Sequence, residues 1–172
     1  MPKYNVLIRL LHTLVALGVI LQVIVGFFFD DMFSKLNPAF FMTIHKSIGL
    51  SLFLLIVFLI ITRIFSNKIP YPKEMPVIQR MLAKLVHWGL YLCILLMSLS
   101  GFIASQLFHS KWQYFYWFDI PNFLPKNPGL GREIFSWHPF IAMILLVLVI
   151  LHILAALSHQ FIAKDKIMQK MF

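Results

Sequence analysis

The chain has 172 residues, of which 60% are hydrophobic and only 12% charged, with a mean hydropathy of +0.86 and a formal net charge of +9. That length allows one domain, and that composition excludes an ordinary soluble one. The charge is spread along the chain rather than gathered on one surface, which argues against nucleic acid, and the lone Cys93 excludes an intrachain disulfide and a Cys-rich metal site.

Four apolar runs carry the excess hydrophobicity: residues 8–29, 44–64, 85–107 and 139–162. Each is about as long as the ~20 residues needed to cross a ~30 Å hydrocarbon core. The predicted fold is therefore all-α, an integral membrane four-helix bundle occupying residues 1–172 as a single domain. The first run is too long for the apolar region of a signal peptide and no small-residue cleavage pattern follows it, so it is predicted to be a span.

Charge sorts the connections. Lys3, Arg9, Arg63, Lys68, Lys73, Arg80, Lys84, Lys164, Lys166 and Lys170 flank the runs on one side, against Glu74 and Asp165. The other side carries Lys35, Lys46, Lys111, Lys126 and Arg132 against Asp30, Asp31, Asp119 and Glu133. By the positive-inside rule both termini and the middle loop are expected in the cytoplasm.

In chain order, the first span carries Arg9 and His12 near its inner end and leaves through Phe27-Phe28-Phe29 to Asp30-Asp31. After Asn37-Pro38 the second span carries Ile44-His45-Lys46-Ser47-Ile48-Gly49 near its outer end. The middle loop, residues 66–81, holds Pro70, Pro72 and Pro76 and reads as an irregular or extended connection. The third span opens with Lys84 and His87 at the cytoplasmic side. The outer loop, residues 109–137, contains Trp112, Tyr114, Tyr116, Trp117 and Pro121, and is expected on the membrane interface as short helices over the bundle mouth.

The fourth span holds the arrangement around which the rest is read. Ser136-Trp137-His138-Pro139 opens it, and His152 and His159 follow fourteen and seven positions further on. Fourteen steps of about 100° return to within roughly 40° of the starting direction and climb roughly 21 Å. One helix face thus offers imidazoles at two depths.

Histidine inside a span is costly and commonly functional, and His12, His45, His87, His138, His152 and His159 all lie in or beside spans. Topology places His45 and His138 in the outer half and the other four in the inner half. Two imidazoles facing each other from different helices are what a six-coordinate b-type haem needs, one nitrogen on each face of the ring. His138 would meet His45, and His152 would meet either His12 or His87. Two such pairs predict two b haems at separate depths, whereas zinc would need its ligands on one tetrahedron. Taken singly, each histidine has a plain alternative as a helix cap or cross-bundle hydrogen bond; the matched set of four argues for the cofactor. His109, in the outer loop, reads as a surface residue.

The motifs resemble the bacterial cytochrome b-561 family over essentially the full length: Arg9-Leu10-Leu11-His12, Ile44 to Gly49, Leu82 to Tyr91, Ser136-Trp137-His138, and Leu151-His152 through Ser158-His159. The resemblance implies a four-helix membrane bundle with two haem b, related to the membrane subunits of formate dehydrogenases and nickel-iron hydrogenases. It implies His12 and His152 as axial ligands of the inner haem and His45 and His138 of the outer, which breaks the tie with His87. Two positions depart from the family pattern. Thr13 follows His12 where tryptophan is common, and Leu99-Ser100-Gly101 lacks the proline often found before that glycine.

His87 and His159 then become candidates for a quinone site, since a neutral histidine can bond a quinone carbonyl and pass its proton; Arg9 and Lys84 are further candidates, with haem propionates or headgroups as their alternative partners. On the outer side, Lys46, Lys111, Lys126 and Arg132 are candidates for a basic mouth that draws in a small anion. The family resemblance points to superoxide as that anion and to ubiquinone as acceptor, in a bacterial inner membrane. Two other classes are kept: a haem-bearing subunit docking a periplasmic dehydrogenase or hydrogenase, and a haem-free proton-coupled transporter.

Overall fold

The computed structural model describes residues 3–67, 69–72, 75–165 and 167–171. Lys68, Lys73, Glu74 and Lys166, part of the charge pattern above, lie outside the described residues. Four long helices, α1 (Val6–Phe27), α3 (Pro38–Ile64), α4 (Val77–Leu107) and α5 (Pro128–Ser158), are long and apolar enough to cross a membrane. A π-turn at Phe29–Phe33 and the single turn α2 (Ser34–Leu36) join the first two.

Local chemistry sets the helix starts. Asn5, Asn37 and Asn127 each accept a hydrogen bond from a backbone N–H of the first turn at 3.0–3.1 Å, and Pro38 and Pro128 occupy the position where a missing N–H costs nothing. The helices therefore begin at polar signals rather than where the apolar runs begin, and α3, α4 and α5 run ahead of those runs. Pro139 lies inside α5, and His138 stands a third of the way along that helix rather than at its mouth. Beyond Ser158 the chain continues as a π-turn, His159–Ala163, and stops at Lys164, whose φ of 52° is the left-handed conformation that ends helices.

α1 packs on α3, α3 on α4 and α4 on α5. On α1, Ile8, Leu11, Val15 and Val19 are buried against Leu52, Ile56 and Leu59 of α3 and Cys93 and Ile94 of α4. The opposite face of α1, Leu10, Leu14, Leu17, Leu21 and Ile24, is equally apolar and exposed. A helix apolar on both faces suits lipid as the surrounding medium. Among the described residues α5 packs closely only on α4, and it is the most apolar of the four yet the least buried. It stands off from α1 and α3.

The termini meet at one end of the bundle, where the Tyr4 N–H donates to the Lys170 carbonyl at 3.0 Å. The opposite end is covered by an antiparallel hairpin, β1 (Gln113–Tyr114) with β2 (Phe118–Asp119). The expected short helices over this mouth are thus replaced by a hairpin, and residues 128–137 belong to α5. The reason is local: Tyr114, Phe115, Trp117 and Phe118 are aromatic strand formers whose rings pack on one another, with centroids 4.8–6.2 Å apart.

Candidate functional site

The stand-off between α5 and the α1–α3 pair is bridged by histidines at two levels. Toward the hairpin end His45 of α3 faces His138 of α5 with ring centroids 6.3 Å apart. Toward the terminal end His12 of α1 faces His152 of α5 at 6.2 Å. His87 of α4 also approaches His152, but at 5.1 Å and edge to face. Among the described residues no three or more His, Cys, Asp or Glu side chains converge as a metal cage would.

These separations discriminate. Two imidazoles on opposite faces of one metal ion, each at about 2 Å from it, have ring centres roughly 6 Å apart. Both facing pairs have that spacing, while His87 and His152 are in direct ring contact. The nitrogens agree with the need for a ligand: Nδ1 of His12 and Nδ1 of His45 are buried without a hydrogen-bond partner, which costs about 1–3 kcal/mol each unless something takes them up. The residues fit a bis-imidazole haem at each level.

Neighbours orient the rings. Ser100 Oγ lies 2.9 Å from His138 Nδ1 and 3.0 Å from the Met97 carbonyl oxygen. This hydrogen bond occupies Nδ1 and leaves Nε2 as the ring nitrogen open to a metal, an arrangement common in metal-binding histidines. Phe135 stacks on the same ring at 5.6 Å. Gly101 lies so close that a Cβ there would stand 3.1 Å from His138 Cε1. On α1, Gln22 donates to the His45 carbonyl at 2.8 Å and so ties α1 to α3 beside that pair. His87 donates Nδ1–H to the Ala83 carbonyl at 2.5 Å, again leaving Nε2.

A family model described as prokaryotic cytochrome b561 matches residues 3–172. The chain belongs to that family. This cytochrome is similar to the Cytochrome b561 homolog 2 of Escherichia coli (strain K12), 31% identical over 129 residues that cover 74% of this chain and 68% of that protein. It is also similar to the Probable superoxide oxidase CybB of Yersinia pestis, 28% identical over 129 residues, 74% of this chain and 72% of that protein. Membership makes the protein a multi-pass membrane cytochrome with b-type haem, and so an electron-transfer protein.

The remaining candidates fall at both ends of this cytochrome. At the terminal end His159 Nδ1 and Asp165 Oδ2 are 2.6 Å apart. Arg9 donates Nε–H to the Met171 carbonyl at 3.2 Å and borders a groove of about 270 Å³ with Val6, Leu10, Thr13 and Met171. Lys84 is exposed on α4. At the hairpin end Lys46 is half-buried, donating to Ser110 Oγ at 2.8 Å and lying 5.9 Å from the Trp112 ring centroid; Lys111, Lys126 and Arg132 are exposed. His109 is exposed and bonds the Leu124 carbonyl through Nε2 at 2.9 Å.

Two contributors escaped the sequence reading. Ser100 figured there only as a departure from a family motif, though its hydroxyl beside Gly101 was a usable signal. Arg63 was counted as topological charge, yet it lies within Coulombic reach of His12, His87 and His152.

Proposed function

We propose that this cytochrome is a superoxide:ubiquinone oxidoreductase of the bacterial inner membrane, with both termini and the middle loop in the cytoplasm. His45 and His138 hold the outer of two b haems and His12 and His152 the inner. The observation that carries this reading is the equal spacing, 6.3 and 6.2 Å, of two facing histidine pairs at opposite levels of α5. The bound haems supply one-electron transfer at potentials set by ligands and surroundings.

Overall, two superoxide anions each give up one electron and become dioxygen, while one quinone takes up both electrons and two protons to become quinol. Lys46, Lys111, Lys126 and Arg132 raise the local concentration of the anion at the outer mouth. At the cytoplasmic end, Asp165 holds His159 by Nδ1 and leaves Nε2 to take up a proton and donate it to a quinone carbonyl. His87 serves the same end, with Arg9 and Lys84 at its rim. The family membership and the name of the Yersinia pestis relative support the donor.

Pyridine-haemochrome analysis is expected to give two haem b per chain, and stopped-flow mixing with superoxide is expected to reduce them, with reoxidation by added ubiquinone. No reduction by superoxide would remove the donor. One haem per chain would remove the paired arrangement, and none would leave the haem-free transporter.

A second reading, a haem-bearing subunit docking a periplasmic dehydrogenase or hydrogenase, is favoured by the apolar side chains at the hairpin end, where Trp117 and Phe123 are 78% and 70% exposed. It predicts copurification with a larger redox partner.

A further inference from the structure

Arg63 occupies the last turn of α3, half-buried against α4 and the segment that precedes α1. It donates Nη1–H to the Tyr91 hydroxyl at 2.8 Å and Nη2–H to the Tyr4 hydroxyl at 3.3 Å, and its guanidinium lies 5.2 Å from the Tyr4 ring centroid. Tyr91 stands one turn along α4 from His87, and Tyr4 is tied by its backbone to Lys170. The cation is thus held by two residues, both neutral phenols. Among the described residues it has no carboxylate partner; the ion pair at this end is His159 with Asp165.

Burying part of a guanidinium with no counter-charge among the described residues is costly. A topological arginine at a helix end could have reached the headgroups instead. Here it is turned inward, within Coulombic reach of His12, His87 and His152, and phenols fix its position without cancelling its charge.

We propose that Arg63 is a positioning residue for electron transfer, a clamped positive charge that raises the reduction potential of the haem held by His12 and His152. The inference rests on the two-haem reading above. Adding an electron to a site is favoured by a nearby fixed cation, and a unit charge at about 10 Å in an effective dielectric of about 20 changes a one-electron equilibrium roughly tenfold. The consequence for function is directional, because electrons arriving from the outer level are drawn toward the quinone end.

The test is a redox titration of the purified holoprotein followed by its haem absorbance, with the inner component identified in H138A, which retains that haem alone. R63Q is expected to lower the inner midpoint so that the reduced-to-oxidised ratio at a fixed potential falls roughly tenfold, equivalent to about 59 mV for one electron, with the outer component unmoved. R63K, which keeps the charge, is expected to stay within about threefold of the parent. An R63Q titration matching the parent overturns the proposal, as does a shift confined to the outer component. If R63Q takes up no haem, Y4F/Y91F decides: releasing the clamp is expected to lower the same midpoint by a smaller amount, and an unchanged midpoint overturns the proposal. A parent protein with fewer than two haems would instead refute the reading on which the inference rests.

Discussion

The outer and inner histidine pairs have the same ring separation and different surroundings. At the outer level the control is exerted on the ring: Ser100 hydrogen-bonds His138 Nδ1, Phe135 stacks on the ring, and Gly101 leaves the space it fills. At the inner level the control is exerted by charge and by a third imidazole, with Arg63 clamped nearby and His87 against His152. A cation is present at both levels, but the Lys46 ammonium is bonded to Ser110 of the outer loop, whereas the Arg63 guanidinium is held inside by two phenols. The contrast fits one end built to receive an electron from a mobile donor and the other built to retain it beside an acceptor.

The strongest way to break this comparison is to remove the rings. H45A and H138A are each expected to lose the outer haem and keep the inner, and H12A and H152A the reverse, so that haem per chain falls by half in every case. H87A sharpens it: its ring is too close to His152 to admit a metal between them, and two haems per chain are expected to remain, with quinone reoxidation slowed. Haemochrome stoichiometry reads the first set and stopped-flow the second. Loss of a haem in H87A with retention in H12A would exchange their roles.

Next in size is Gly101→Leu. Leucine favours the helix over glycine by up to about 1 kcal/mol, but a Cβ only 3.1 Å from His138 Cε1 starts a side chain in space the ring occupies, and overpacking costs about 1–3 kcal/mol. The second effect wins. Outer haem is expected to be lost or to dissociate on dilution, while helix content by circular dichroism is unchanged. Equal retention of both haems would mean that the ring yields freely.

Ser100→Ala removes the hydroxyl partner of His138 Nδ1 and leaves the ring in place. Outer-shell partners of metal-bound histidine are worth about 10–100-fold in affinity, so the outer haem is expected to dissociate about tenfold faster with the inner unchanged. Among the described residues the inner pair has no equivalent serine to lose, and a parallel loss at both levels would erase the distinction between ring control and charge control.

How far the sequence reveals this molecule depends on which forces are local. The four helices follow from apolar length, and the two levels of histidine on α5 follow from helical periodicity, because 3.6 residues per turn is a property of the backbone. Arg63 was legible as a basic residue at the end of an apolar run and illegible as a clamp, since its partners are Tyr4 and Tyr91, far away in the chain. The hairpin was hidden for a different reason. Its tight turn places Phe115 and Tyr116 at φ 46° and 63°, where Asn-Gly is the usual signature, so the turn carried no sequence signal.

That turn yields the smallest prediction and the sharpest control. Left-handed φ costs about 1–3 kcal/mol at non-glycine residues and persists only where the surroundings hold it. Here the Phe115 N–H donates to Ser47 Oγ at 2.9 Å and the Tyr114 hydroxyl bonds Ser51 Oγ at 2.8 Å, so α3 fastens the turn two residues beyond His45. Ser47→Ala removes one fastening at a fully buried site and is expected to cost about 1–2 kcal/mol, read as faster proteolytic nicking within residues 113–119. Both haem spectra and both midpoints are expected to stay as in the parent, because Ser47 holds the cover and not the ring. A shifted outer midpoint in Ser47→Ala would mean that cover and ring are one coupled unit, and the outer level would then be governed by its loop as much as by Ser100.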